Sequence, residues 1–309
     1  MEYILETFDL SKRYGNNWVL KKVNMHIAKG DVYGFVGENG SGKTTVIRLV
    51  TGLISPNEGH STLFGVSDRT KDILRVRRKV GAIVEKPSIY LNMCALDNLK
   101  MQCGILGITE NVQEKIQQAL KDVGLEEQFG TKKSAGDFSL GMRQRLGIAM
   151  ALLGEPELII LDEPMNGLDP AGIVEIRELI IKLNREKNIT FLISSHILTE
   201  LSLVATKYGI ISKGELVKEI TAQELKNECR PTVQINTPDR EKLCALLSEL
   251  LPSDCFLPTG LGAKVLGEVR LNELLQKIID AGVEIQSVNC YESSIEDYYL
   301  SLTGGGHNA

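Results

Sequence analysis

The sequence predicts an α/β chain in which a mostly parallel sheet is followed by a small α+β domain. Three observations predict it. Val32-Tyr33-Gly34-Phe35-Val36 reads as an apolar strand that runs into a glycine-rich loop, residues 37–42, and then into a helix. Leu158-Ile159-Ile160-Leu161 is a continuous apolar run, the pattern of a strand buried on both faces. Strand and helix patterns alternate as far as residue 194, as expected of parallel βαβ units.

Taken in order, residues 1–36 alternate apolar and polar and read as short strands. The helix after the glycine-rich loop covers 43–51 and is ended by Gly52 and Pro56. Residues 72–80 read as a basic amphipathic helix. The pattern from 98 to about 124 is helical, with breaks at Gly104 and Gly107. A helix over 139–153 is stopped by Gly154, and after the 158–161 strand come a helix over 173–187 and a buried strand over 190–194. Near Thr221 the character changes. A strand (232–236), a helix (240–250), two short strands, a helix (271–281) and a last strand (284–290) suggest a small βαββαβ domain. The expected domains are therefore 1–220 and 221–303, with a flexible tail over 304–309 that frays at Gly304-Gly305-Gly306-His307.

Composition narrows the class. Hydrophobic residues make up 43% and charged residues 24%, as in an ordinary soluble globular protein. The net charge is −5, and residues 221–309 hold 7 Lys+Arg against 13 Asp+Glu. Neither part has the basic excess of a nucleic-acid binder. The start, Met1-Glu2-Tyr3-Ile4-Leu5-Glu6, lacks signal-peptide architecture. No apolar run reaches the ~18 residues that span a bilayer, so any transport would need a channel supplied by another chain. The six cysteines form no CxxC pair and no zinc spacing. They read as free thiols of a reducing cytosol.

Gly37-Glu38-Asn39-Gly40-Ser41-Gly42-Lys43-Thr44 fits G-x-x-x-x-G-K-[ST]. Its glycines let backbone N–H groups turn inward around a β-phosphate, and the following helix start adds positive potential. Lys43 is placed to reach the β- and γ-phosphates and the Thr44 hydroxyl to ligate Mg²⁺; Thr45 completes the phosphate-binding set. The buried strand at 158–161 ends in Asp162-Glu163. In phosphoryl transfer one such acid helps hold Mg²⁺, the part given to Asp162. The other orients the attacking water, the part given to Glu163.

With these motifs in place, residues 1–218 resemble the ABC transporter ATPase family. Phe138-Ser139-Leu140-Gly141-Met142-Arg143-Gln144-Arg145 is similar to the family signature LSGGQ, with Leu140 for a usual Gly and Met142 for a usual Gln. The resemblance implies that Ser139 and Gly141 open a helix aimed at the γ-phosphate held by an opposite subunit; Ser139 also reads as a helix N-cap. Pro164-Met165-Asn166-Gly167-Leu168-Asp169 resembles the loop that joins the two ATP sites, His196 the switch histidine, and Tyr14, 23 residues before Gly37, the aromatic that stacks on adenine. His26, His60 and His307 match nothing in the family and read as surface residues. Glu85 stands where the family usually has Gln. The resemblance makes it a Mg²⁺ and water sensor, and a salt bridge to Lys86 or Arg78 is the alternative.

Glu85, the Ser-Leu-Gly-Met signature and the tail ending Ser294-Ile295-Glu296-Asp297-Tyr298-Tyr299 resemble the bacitracin-type and lantibiotic-immunity exporter ATPases. This implies a P-loop ABC ATPase: a RecA-like core, an antiparallel β subdomain, an α-helical subdomain at about 86–153 and a C-terminal α+β domain. It further implies ATP and Mg²⁺ as cofactors, and two copies that sandwich two nucleotides. A separate transmembrane permease would receive the work and hold the chain on the inner face of the membrane. Its contact is expected in a groove beside Glu85, lined over 87–106 by Ile89, Tyr90, Leu91, Met93 and Leu99. The alternative is a non-transport ABC ATPase acting on ribosomes or DNA; such chains usually carry two linked ATP domains or a long insertion, and here there is one phosphate loop.

Overall fold

A computed structural model describes residues 2–252, 255–267, 270–291 and 295–303. The expected frayed segment 304–307, His307 included, lies outside these residues, as do Met1 and Ser294. The chain divides into two compact units, Met1–Ala222 and Gln223–Ala309.

The first unit opens with strands β1 (Tyr3–Tyr14), β2 (Asn17–Val23), β3 (His26–Ala28) and β4 (Val32–Val36), and β4 runs into helix α1 (Lys43–Val50). Next come β5 (Glu58–Leu63), β6 (Val66–Ser67), the short helix α2 (Ile73–Arg77) and β7 (Val80–Ile83). Three helices follow: α3 (Ala95–Leu106), α4 (Val112–Asp122) and α5 (Leu140–Leu152). The unit finishes with β8 (Leu158–Asp162), α6 (Pro170–Lys187), β9 (Thr190–Ser195), α7 (Leu198–Ser202), β10 (Lys207–Ser212), β11 (Glu215–Thr221) and the start of α8 (Ala222–Glu228).

Two sheets organise this unit. One is antiparallel, in the order β2-β1-β5-β6, with β3 also on β1. The other runs β11-β10-β4-β9-β8-β7, parallel from β10 to β7 with only β11 antiparallel. Every residue of β4, β8 and β9 is buried, which explains their continuous apolar runs: a parallel sheet covered on both faces has no solvated side. Val46, Ile47, Leu49 and Val50 of α1 join Tyr33, Phe35, Leu158, Ile160 and Leu192 in one core cluster. Full burial of each such aliphatic side chain stabilises the fold by about 1.5–3 kcal/mol.

Several elements differ from expectation. The helix predicted over 72–80 is only α2, and Val80 already belongs to β7. The basic residues Arg75, Arg77 and Arg78 extend a helical pattern that Val80-Gly81-Ala82-Ile83 breaks by pairing with Leu158–Leu161. Gly104 lies inside α3, whereas Gly107, at φ 70, ends it. The three histidines expected at the surface separate. His26 is partly buried: its N–H donates to Glu219 Oε1 at 3.0 Å, and its Nδ1 lies 2.8 Å from Oε2. His60 stacks on Phe8. Glu219 also accepts from the buried Tyr33 hydroxyl at 2.8 Å. Burial, then the Glu219 charge, pushes the Tyr33 phenol well above its usual range, so it stays a neutral donor that pins β4 to β11.

The second unit holds β12 (Thr232–Asn236), α9 (Arg240–Leu250), β13 (Phe256–Thr259), β14 (Gly262–Leu266), α10 (Leu271–Asp280), β15 (Ser287–Tyr291) and α11 (Ile295–Thr303). Its antiparallel sheet runs β13-β14-β12-β15, the order of a βαββαβ split fold. Leu243, Leu247, Leu274 and Ile278 of the two helices pack on Val233, Ile235 and Val265. The last strand starts at Ser287 rather than 284, and α7, α8 and α11 were not expected.

Candidate nucleotide site

The site gathers at the C-terminal ends of β4, β8 and β9, neighbours in the order β4-β9-β8. Ligands of open α/β sheets bind at such strand ends. From β4 the chain passes through residues 37–42 into α1. Gly42 holds φ 112, and a Cβ there would lie 2.5 Å from Leu20 Cδ2. A Cβ on Gly37 would lie 2.5 Å from both the Ile211 carbonyl oxygen and Ser41 Oγ. Only glycine fits either position, and the backbone is left bare where an anion would sit.

Lys43 opens α1 and is buried, 6% exposed. Its ammonium donates to the Gly37 carbonyl at 2.6 Å and the Glu38 carbonyl at 3.2 Å, and lies 3.2 Å from Glu163 Oε1. Ser41 Oγ is buried and makes no hydrogen bond. Asn39 and Gly40 form the exposed crest of the loop, and Thr45 is the next helical residue after Thr44.

β8 delivers the acids. The Thr44 hydroxyl donates to Asp162 Oδ2 at 2.9 Å. The Ser194 hydroxyl donates to Asp162 Oδ1 at 2.6 Å and accepts from the Glu163 backbone N–H at 2.8 Å. Glu163 holds φ 50, a left-handed conformation that costs an ordinary residue energy and persists where the surroundings impose it. His196 Nδ1 lies 2.8 Å from Glu163 Oε2. The structure thus brings together Lys43, Thr44, Asp162, Glu163 and His196. Ser194 was missed as a functional residue; its one signal was its place in Ser194-Ser195-His196.

Other predicted residues lie apart from this cluster. Ser139 caps α5 by accepting from the Met142 N–H at 3.1 Å. With Gly141 it lines a cleft of about 450 Å³ that also holds Gly167, Leu168 and Asp169. Among the described residues no hydrogen bond or ion pair links Ser139 or Gly141 to the phosphate loop. Tyr14 ends β1, 49% exposed, with the Lys12 ammonium 5.5 Å from its ring centroid. Glu85 pairs with Arg48 of α1, not with Lys86 or Arg78 as the salt-bridge alternative expected, and among the described residues no hydrogen bond or ion pair joins it to the Lys43–Glu163 cluster.

The groove beside Glu85 also differs from expectation. A cleft of about 490 Å³ follows the Glu85 loop; Pro87 and Leu106 of the expected stretch line it together with Leu53, Val84 and Met150, but Ile89, Tyr90, Leu91, Met93 and Leu99 do not. Leu99 is fully buried, and Asn98 beside it bonds the backbone of Tyr90, Met93 and Cys94. Tyr90 and Leu91 remain half exposed.

The family profile described as ABC transporter matches residues 20–166, which hold the phosphate loop, the signature and the acids. Bacitracin transport ATP-binding protein BcrA of Bacillus licheniformis is 41% identical over 308 residues, 99% of each chain. This chain belongs to the ABC transporter ATPase family. Lantibiotic transport ATP-binding protein SrtF of Streptococcus pyogenes is 43% identical over 216 residues, 70% of this chain and 90% of that one. Among solved structures, the cassette MJ0796, dimeric and bound to ADP and Pi, superposes with a TM-score of 0.62 at 25% identity, covering 71% of this chain and 98% of that one. As an ABC cassette the chain binds ATP and is an ATPase coupled to transport. No helix among the described residues is long and apolar enough to cross a membrane.

Proposed function

We propose that this ABC ATPase hydrolyses ATP at the β4/β8/β9 edge to power export of a peptide antibiotic or similar amphipathic compound through a separate transmembrane subunit. The observation that carries the hydrolytic reading is the joined cluster Thr44–Asp162–Ser194–Glu163–His196 beside Lys43. Lys43 and the backbone N–H groups of residues 37–42, with Asn39, Ser41 and Thr45, bind the β- and γ-phosphates. Tyr14 offers a ring to adenine. Glu163 takes the proton of the attacking water, and His196 holds that carboxylate in line and touches the γ-phosphate. The attack breaks the bond from the γ-phosphorus to the bridging oxygen and releases ADP and phosphate.

The donor set fits Mg²⁺. Thr44 and Asp162 present hard oxygens on one spot, and no cluster of three His, Cys, Asp or Glu competes among the described residues. Magnesium is characteristically held by one or two protein groups plus substrate phosphates. When bound, it neutralises charge on the β- and γ-phosphates.

Ser139 and Gly141 lie apart from this chain's own phosphate loop, so they serve the site of a second copy, head to tail. The dimeric cassette among the structural relatives supports that arrangement. The permease docks in the cleft beside Glu85, which places the ATPase on the inner face of the cell membrane. The cargo reading rests on the bacitracin and lantibiotic transport relatives. It is tested by co-purifying the chain with its permease and measuring peptide-antibiotic sensitivity in cells lacking either protein. Raised sensitivity to bacitracin or a lantibiotic supports the cargo. Unchanged sensitivity with co-purification discards the cargo and keeps the transporter; co-purification with ribosomes discards both.

A further inference from the structure

Glu85 occupies a defined place relative to the acids. β7 and β8 are adjacent and parallel, with Ile83 opposite Leu161. Glu85 therefore follows its strand by the same two residues as Glu163 follows Leu161. Both hold a left-handed backbone, φ 64 and φ 50. The register thus puts a third carboxylate at the edge that already carries Asp162 and Glu163. A triphosphate bound at that edge, as proposed above, would meet a third negative side chain, and like charges oppose binding.

Helix α1 carries the compensation. Thr44 and Arg48 are four residues apart, so they share one helix face. Thr44 bonds Asp162 from that face, and Arg48 pairs through its guanidinium with Glu85. One helix face thus engages the ends of both strands, by a hydroxyl on β8 and by a fixed positive charge on the loop after β7. Arg is permanently charged and offers a planar fork matched to a carboxylate.

We propose that Arg48 is a positioning residue whose role is to hold and neutralise Glu85, so that a carboxylate can stand at the phosphate edge without repelling ATP. This rests on the reading of Glu85 as a group that faces the nucleotide. Charge neutralisation matters most where Mg²⁺ does not already screen the triphosphate. Arg48→Ala should therefore weaken ATP binding chiefly in the absence of Mg²⁺.

The test is a double-mutant cycle on the full chain, read as the Kd for ATP in EDTA and again with excess Mg²⁺, with circular dichroism as a control for folding. Arg48→Ala should raise the EDTA Kd about 3–10-fold and the Mg²⁺ Kd less. Arg48→Lys, which keeps the charge, should restore most of the affinity. In a Glu85→Gln background, Arg48→Ala should have little effect, because nothing is left to neutralise. If Arg48→Ala fails to fold, Arg48→Met keeps the aliphatic stem and carries the same comparison. An unchanged EDTA Kd overturns the proposal. So does an equal loss in the Glu85→Gln background, which would mean that Arg48 acts on nucleotide directly. Failure of the underlying reading looks different: Glu85→Gln alone would then leave both Kd values unchanged.

Discussion

At the residue scale, one hydroxyl does two jobs. Ser194 Oγ donates to Asp162 and accepts from the Glu163 N–H, so it fixes the carboxylate beside Thr44 and the backbone that aims Glu163. Ser194→Ala would leave a part-buried N–H without its acceptor and a buried carboxylate short of a donor, at about 1–3 kcal/mol. Because a small misplacement of a catalytic group can cost about 100-fold, turnover is expected to fall about 10–100-fold while the Kd for ATP stays within about 2-fold. Single-turnover hydrolysis beside equilibrium binding checks this. The phosphate loop and the acids were readable in the sequence because each motif is contiguous and its chemistry local. Ser194 was not, because its role depends on β9 lying beside β8. Arg48 was not, because its partner lies 37 residues away and two nearer basic residues offered themselves.

At the element scale, α5 joins the Glu85 loop to the signature. Its first turn is capped by Ser139, and its middle passes so close to the loop that a Cβ on Gly147 would lie 2.5 Å from Pro87 Cβ and 3.2 Å from Ile83 Cδ1. Gly147→Ala therefore overpacks this contact and is expected to lower stability by about 1–3 kcal/mol, despite alanine's better helix propensity. Urea denaturation measures it, and a stabilised variant would show that the loop yields freely. Strands buried on both faces were legible as β8 and β9 because they read as pure apolar runs. β7 was hidden behind a basic stretch that looked helical, and its neighbour β8 decides its pairing. α11 was passed over although Ile295, Tyr298, Tyr299 and Leu302 recur at helical spacing; none of them is fully buried.

At the scale of the whole molecule, every residue of the joined cluster lies in the first unit, Met1–Ala222. β11 extends to Thr221, and the Ala222 N–H bonds the Thr206 carbonyl at 2.8 Å, so a chain ended after Ala222 keeps its sheet whole. Such a chain is expected to bind ATP within about 3-fold of the full protein, since burial and contacts, not position in sequence, decide tolerance to truncation. A folded truncation that binds no nucleotide would move part of the site into the second unit. Catalysis as proposed requires that Glu163 take the proton of the water that attacks ATP sandwiched between two copies. Glu163→Gln keeps the shape and removes the base. Phosphate release from purified protein with Mg²⁺, run beside gel filtration with ATP, tests it most directly. The variant should hydrolyse about 10²–10⁴-fold more slowly and accumulate as an ATP-dependent dimer; turnover at the wild-type rate with no such dimer would contradict the claim.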